Sequence, residues 1–371
     1  MQGIRDDRID FFRGLALVFI FWDHIPGNVL GDVTIRNFGL SDAAEMFVFL
    51  AGYVATLAYR NVLLRDGFAA ACGRILRRAW TLYIAHIFLL VLLIGAVSLA
   101  NSHVETRDFV QEMHLAYFVS HPEQAMIEAL TLRFKPHLMD PLPLYIILML
   151  AFAAMLPLLV KYPLASLAAS GGLYALALHF DWNLPSETGG GWFFNPLAWQ
   201  FLFFLGGVAA LYRGVPFAAP RAPNRWLLSA ALVVLALSAA LVWTWGRPEL
   251  HDALIAPTLG QWLYPIDKTN LDPLRLIHFL SLAYCTAILI PRGVWLDTPL
   301  PRQIRLMGRH SLEVFCLGVL LAPIADALCT LAGDGLAVQI TVGLAGVAVM
   351  TAFAALREWG RHMTVRKPAQ A

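Results

Sequence analysis

Charge is what this chain has least of. Asp, Glu, Lys and Arg make up 14% of its 371 residues, where a soluble domain carries roughly a quarter, and hydrophobic residues reach 59%. So much apolar material leaves a fold that meets water on all sides with a large sticky exterior, which excludes an ordinary soluble chain. Cysteine is scarce as well. Cys285, Cys316 and Cys329 lie in apolar runs and Cys72 lies beside a basic cluster. None has metal-ligand spacing, and neither a disulfide framework nor a zinc site is expected. The net charge of +2 is too small to argue for nucleic acid. Walker loop, dinucleotide fingerprint and serine elbow are all missing, which removes most support for motor, redox and hydrolase readings. The first apolar run follows Asp10 and Arg13 and has no small-residue cleavage site, so no cleavable signal peptide is expected.

Long apolar runs are plentiful. A membrane-spanning helix needs about 20 mainly apolar residues, and ten stretches qualify, near 11–27, 42–60, 79–100, 142–160, 163–180, 196–212, 226–245, 272–291, 311–331 and 336–356. The expected fold is therefore all-α, a polytopic membrane protein of about ten transmembrane helices in a single domain over 1–371. Basic residues collect on the cytoplasmic side of such proteins. With both termini cytoplasmic, 20 of the 27 Lys and Arg fall on that side. Residues 101–141, 181–195 and 246–270 are then outer loops, and 357–371 is a basic cytoplasmic tail near anionic lipid, with no catalytic role. Tryptophans and tyrosines in the outer loops, such as Trp262 and Tyr264, fit two readings: interface anchors, or platforms for sugar rings.

An ionisable side chain inside a span is costly unless it faces the bundle interior or water, so each is a functional candidate. The first span carries Asp10, Arg13, Asp23 and His24. At about 100° per residue, Arg13 and His24 lie about 20° apart around the axis and about 16 Å apart along it, with Asp10 within about 60° of both. Asp23 points off that face. Imidazole titrates near neutrality, so His24 is the best general base in the chain; the competing reading is a histidine that ends a helix. Glu45 opens the second span after Asp42, either as a partner that orients or charges the imidazole or as an interfacial carboxylate. Gly52, seven residues on, allows a close backbone approach. Arg74, Arg77 and Arg78 share one side of a helix, which suits phosphate binding and equally suits an inward span end. Arg309, His310, Ser311 and Glu313 open the ninth span, where Glu313 either pairs with an arginine or lines a cavity.

Four segments, in this order, resemble the membrane-bound acyltransferase family 3, and within it the OpgC proteins, which succinylate osmoregulated periplasmic glucans. They are Asp10-Phe11-Phe12-Arg13-Gly14 running to His24, Glu45-Met46-Phe47-Val48-Phe49-Leu50-Ala51-Gly52, Gly73-Arg74-Ile75-Leu76-Arg77-Arg78, and Gly308-Arg309-His310-Ser311. Ala79 stands where the family often has proline, Ala51 replaces the usual serine, and Cys316-Leu317-Gly318 replaces a late histidine. Arg77 and Arg78 are both candidates for the second donor arginine.

The resemblance implies an inner-membrane O-acyltransferase with no resident cofactor. Its donor would be an acyl-coenzyme A, succinyl first and acetyl second, held by Arg74 with Arg77 or Arg78. Its acceptor would be a periplasmic glucan hydroxyl. His24 would be the base, Glu45 its acidic partner, and Arg13, with Asp10 beside it, would steady the thioester oxygen or help hold the donor. Asp23, Asp42, Arg309, Ser311 and Glu313 would line the pocket. Two alternatives stand beside this reading. One is a proton-coupled transporter or flippase of acyl, glycan or lipid-linked substrates, and the other is a structural subunit whose polar residues join helices.

Overall fold

Proline and short polar side chains set where the helices start. Proline lacks the N–H that a first turn leaves unpaired anyway, and Asp or Asn just before a helix accepts from the exposed amides. The computed structural model describes residues 6–187, 189–212 and 224–365. Arg5, Arg213, Arg221, Arg366 and Lys367, and the tail beyond Val365, lie outside the described residues.

In chain order the helices are α1 (Asp7–Asp23), α2 (Ala43–His103), α3 (Phe109–Glu112), α4 (Ala116–Ser120), α5 (Pro122–Leu130), α6 (Pro141–Lys161), α7 (Pro163–Phe180) and α8 (Pro196–Leu211). They continue with α9 (Arg225–Trp245), α10 (Pro248–Leu254), α11 (Pro257–Leu263), α12 (Pro273–Leu289), α13 (Pro299–Arg309), α14 (Ser311–Leu331) and α15 (Leu336–Val365). Asp6, Asn195, Asn224 and Asp272 cap α1, α8, α9 and α12 through their side chains. No strand occurs among the described residues. Each of the ten apolar stretches falls on a helix, and six helices are long and apolar enough to cross a membrane. This is a multi-pass membrane protein.

Several boundaries differ from expectation. The second and third stretches share α2, interrupted only at Gly67 (φ 84°), a left-handed conformation that glycine adopts without strain. Helix α1 stops at Asp23, before Pro26-Gly27, with His24 as its C-cap. Helix α15 runs nine residues past the expected 356, since no proline or helix cap intervenes. Residues 101–141 carry three short helices, and the Leu130 carbonyl accepts from the Tyr83 hydroxyl at 2.9 Å. That contact sits near the start of the expected apolar run 79–100, so this segment folds back along α2.

The chain divides into two compact units: 1–34, 91–110 and 291–371 form one, and 35–90 with 111–290 the other. In the first, α1 packs on α13 and α14, and α14 on α15. Gly14 lies against the Ile304 carbonyl and Gly308 against the Asp10 carbonyl, so a Cβ at either would overlap the opposite backbone. In the second, α6, α7 and α8 form a core around Trp199, Phe152 and Phe203. There Gly52 meets the Phe203 carbonyl and Gly206 the Phe49 carbonyl in the same reciprocal way. Helices α9 and α15 leave Trp226, Leu237, Trp243, Leu344 and Leu356 exposed, an apolar exterior suited to lipid.

Candidate functional site

In the first unit the polar groups of α1 are stitched to the late helices. Asp10 is buried, 3.9 Å from Arg13 and 3.8 Å from Arg309. Arg13 donates to the Ser311 hydroxyl. The first and fourth motifs therefore meet through side chains as well as through their glycines. Arg309 also reaches Asp7 at 3.7 Å and Glu358 at 3.8 Å. Glu358 takes a 2.9 Å bond from His310, and Glu313 pairs with Arg357. Below them Asp6 accepts from Arg8 and Arg292. Burial pushes its carboxyl up, but Arg8 and Arg292 outweigh this and hold it below the usual carboxylate range. Most of these cations are matched by carboxylates, so this end of α1 is held in place by charge.

His24 is half-buried at the C-cap of α1, and its Nδ1 donates to the Ile20 carbonyl. In the neutral ring that fixes the hydrogen on Nδ1 and puts the lone pair on Nε2. Asp23, one residue earlier, accepts from the Thr34 hydroxyl at 2.7 Å and pins the turn that follows.

In the second unit Glu45 has no exposure. Its carboxylate accepts from Arg275 Nε at 2.8 Å and from the Asp42 amide at 2.9 Å. Asp42 pairs with Lys268 at 2.6 Å and Arg275 at 3.2 Å. Lys268 is held through its backbone: its carbonyl and that of Thr269 accept from the Trp199 indole at 3.1 Å. Asp267 caps the amides of Thr269 and Asn270. The Ser41 hydroxyl and amide meet His278 Nδ1 at 2.8 and 3.2 Å, tying the entry of α2 to α12.

The arginines that the resemblance assigns to the donor lie on α2. Arg74 and Arg77 are exposed and Arg78 is half-buried. Arg74 pairs with Asp66 at 3.1 Å across the Gly67 break, whereas neither Arg77 nor Arg78 has an ion pair among the described residues. Between Arg60 and Arg78 five arginines face one carboxylate, Asp66. This surplus suits a phosphate-bearing ligand.

Asp10, Arg13, Arg309 and Ser311 are thus brought together, as are Asp42 and Glu45, while Asp23 and Glu313 serve local pairs. Arg275 and Lys268 are not among the residues that the sequence singles out. Arg275 stands inside the 272–291 run, where a buried charge demands a partner, and that signal identifies it. Glu358 lay beyond the last expected span and carried no such signal.

The chain matches the family described as OpgC protein over residues 5–362. No curated protein and no solved structure matches it significantly.

Proposed function

Because the chain belongs to the OpgC protein family, a family of glucan-modifying acyltransferases, we propose that it moves a succinyl group from cytoplasmic succinyl-coenzyme A to a hydroxyl of a periplasmic glucan, across the bacterial inner membrane. His24 carries this reading: an imidazole in a mainly apolar helix, with Nδ1 tied to Ile20 and the lone pair on Nε2. Nε2 takes the proton of the sugar hydroxyl as its oxygen attacks the thioester carbonyl, and the imidazolium returns a proton to the departing thiolate. Glu45, fixed by Arg275, is the proposed acidic partner in that transfer. Arg13 is the proposed cation for the developing oxyanion.

The uncompensated arginines of α2 support the donor assignment. Arg78 is the better second donor arginine, being half-buried where Arg77 is exposed. The test is acceptor-dependent release of coenzyme A by purified protein, native against His24→Ala, with succinyl- and acetyl-coenzyme A and a periplasmic glucan. Loss of a general base is expected to cost about 10²–10⁴-fold in turnover. A folded His24→Ala protein with native rates removes the mechanism. Labelled acyl groups that cross the membrane with the thioester intact bring the transport reading forward.

A further inference from the structure

His24 stands at the C-cap of α1, and a helix end frays unless neighbouring groups hold it. The last helix, α15, supplies that hold from within the same compact unit. Two residues before His24, the Trp22 indole donates to the Gly343 carbonyl of α15 at 3.1 Å. Four residues after it, the Asn28 side chain donates to the Gln339 carbonyl at 3.1 Å. Gln339 completes the bridge with its own side chain, whose Oε1 accepts from the Val29 amide at 2.9 Å. That amide opens the 3₁₀ helix Val29–Val33, and the first N–H groups of a helix have no partner inside it.

Both ends of each amide are in use. Gln339 Nε2 donates to the Asp334 carbonyl at 2.9 Å, which fixes the orientation that offers Oε1 to Val29. Asn28, itself buried, caps the Leu30 amide through Oδ1 at 2.9 Å while its Nδ2 reaches α15. Gln339, Gly343 and Gly346 recur at i, i+4 and i+7, one face of a helix. A Cβ at Gly343 would overlap Leu30, and one at Gly346 would overlap the Phe21 ring, so this face lies directly against the end of α1. The chain from Trp22 to Val29 is thus fastened to α15 on both sides of His24.

We propose that Gln339 is a positioning residue for His24: its bridge to Asn28 and Val29 holds the turn that carries the imidazole, and so sets where Nε2 lies. The proposal rests on the acyltransferase reading above, in which Nε2 takes the hydroxyl proton. The bond from Nδ1 to Ile20 fixes the ring against α1, and the bridge fixes the end of α1 against α15. A displacement of about 1 Å in a reacting group costs about 10²-fold in rate. A tie that served stability alone would lower the unfolding midpoint and leave the turnover of each folded molecule intact.

The experiment measures kcat and KM for acceptor-dependent release of coenzyme A in Gln339→Leu, Gln339→Glu and Asn28→Asp, with thermal unfolding to show which variants are folded. Gln339→Leu is expected to lower kcat by about 10–100-fold with KM little changed. Gln339→Glu keeps an acceptor for the Val29 amide and is expected to recover most of that loss. Asn28→Asp keeps the cap on Leu30, loses the donor to Gln339, and is expected to lower kcat in the same direction. Added to His24→Ala, Gln339→Leu is expected to change the residual rate by less than about twofold, because its effect runs through the imidazole. Thr341→Ala, whose hydroxyl bonds the Ala337 carbonyl of its own helix, is the control and keeps native turnover. Native kcat in folded Gln339→Leu, or an equal loss with and without His24, overturns the proposal. Asn28→Asp and Gln339→Glu decide it should Gln339→Leu not fold, and failure of all three to fold makes the bridge structural and overturns it. Native turnover in His24→Ala removes the parent mechanism instead, and the positioning role falls with it.

Discussion

A carboxylate with no exposure needs a cation beside it, and for Glu45 that cation is Arg275. Truncating one partner of a buried pair strands the other charge, at about 3–5 kcal/mol. Arg275→Ala is therefore expected to lower the unfolding midpoint in detergent strongly, and Glu45→Gln added to it to recover part of the loss. A double variant no more stable than Arg275→Ala would show that the pair contributes little. Asp140 gives a pH-dependent counterpart. Burial raises its carboxyl from 3.8 to about 6, with Lys135 opposing, so the folded state holds a proton there that the unfolded chain has released. This stability is full below pH 3.8 and is lost as pH rises through about 6, at most about 3 kcal/mol. Asp140→Asn is expected to stabilise the protein at pH 7.5 and not at pH 4, as read by thermal unfolding at both. Asp10, Arg13 and Ser311 were legible as polar residues in apolar runs. The pairing of Arg13 with Ser311 was not, because partners 298 positions apart leave no trace in local spacing.

Among the elements, α1 and α13 approach as closely as two helices can, backbone to backbone at Gly14 and Gly308. A methyl group at either has to push the facing carbonyl away, so Gly308→Ala is expected to destabilise by about 1–3 kcal/mol. Gly73, on the exposed side of α2, meets nothing within 4 Å. Gly73→Ala is expected to be neutral or to stabilise by up to about 1 kcal/mol, the ordinary helix preference. Thermal unfolding of the two variants side by side checks both signs. The close approach at Gly52 was readable from its place in an apolar helix, but its partner Phe203 was not, since the sequence carries no record of which helices neighbour one another. Residues 101–141, within the expected outer loop, pose the same difficulty. Their helices are short and polar, and only the long-range bond between Tyr83 and Leu130 shows where the segment turns back.

At the scale of the whole molecule, composition alone separated this chain from soluble proteins, and the apolar stretches located its helices to within a few residues at most ends. Ten crossings with both termini cytoplasmic remains the arrangement that the basic residues favour. A reporter active only in the cytoplasm is expected to work when fused after residue 365, and one active only in the periplasm when inserted in 181–195. The reverse pattern sinks this topology. The first unit draws on both ends of the chain, and this has a consequence for biosynthesis. Asp7 is paired by Arg305, which is translated 298 residues later. At about 5–20 residues per second that is an interval of about 15–60 s. For all of it, α1 must wait at the membrane with Asp7 and Asp10 not yet met by Arg305 and Arg309. The ribosome finishes the protein by delivering the counter-ions of its first helix.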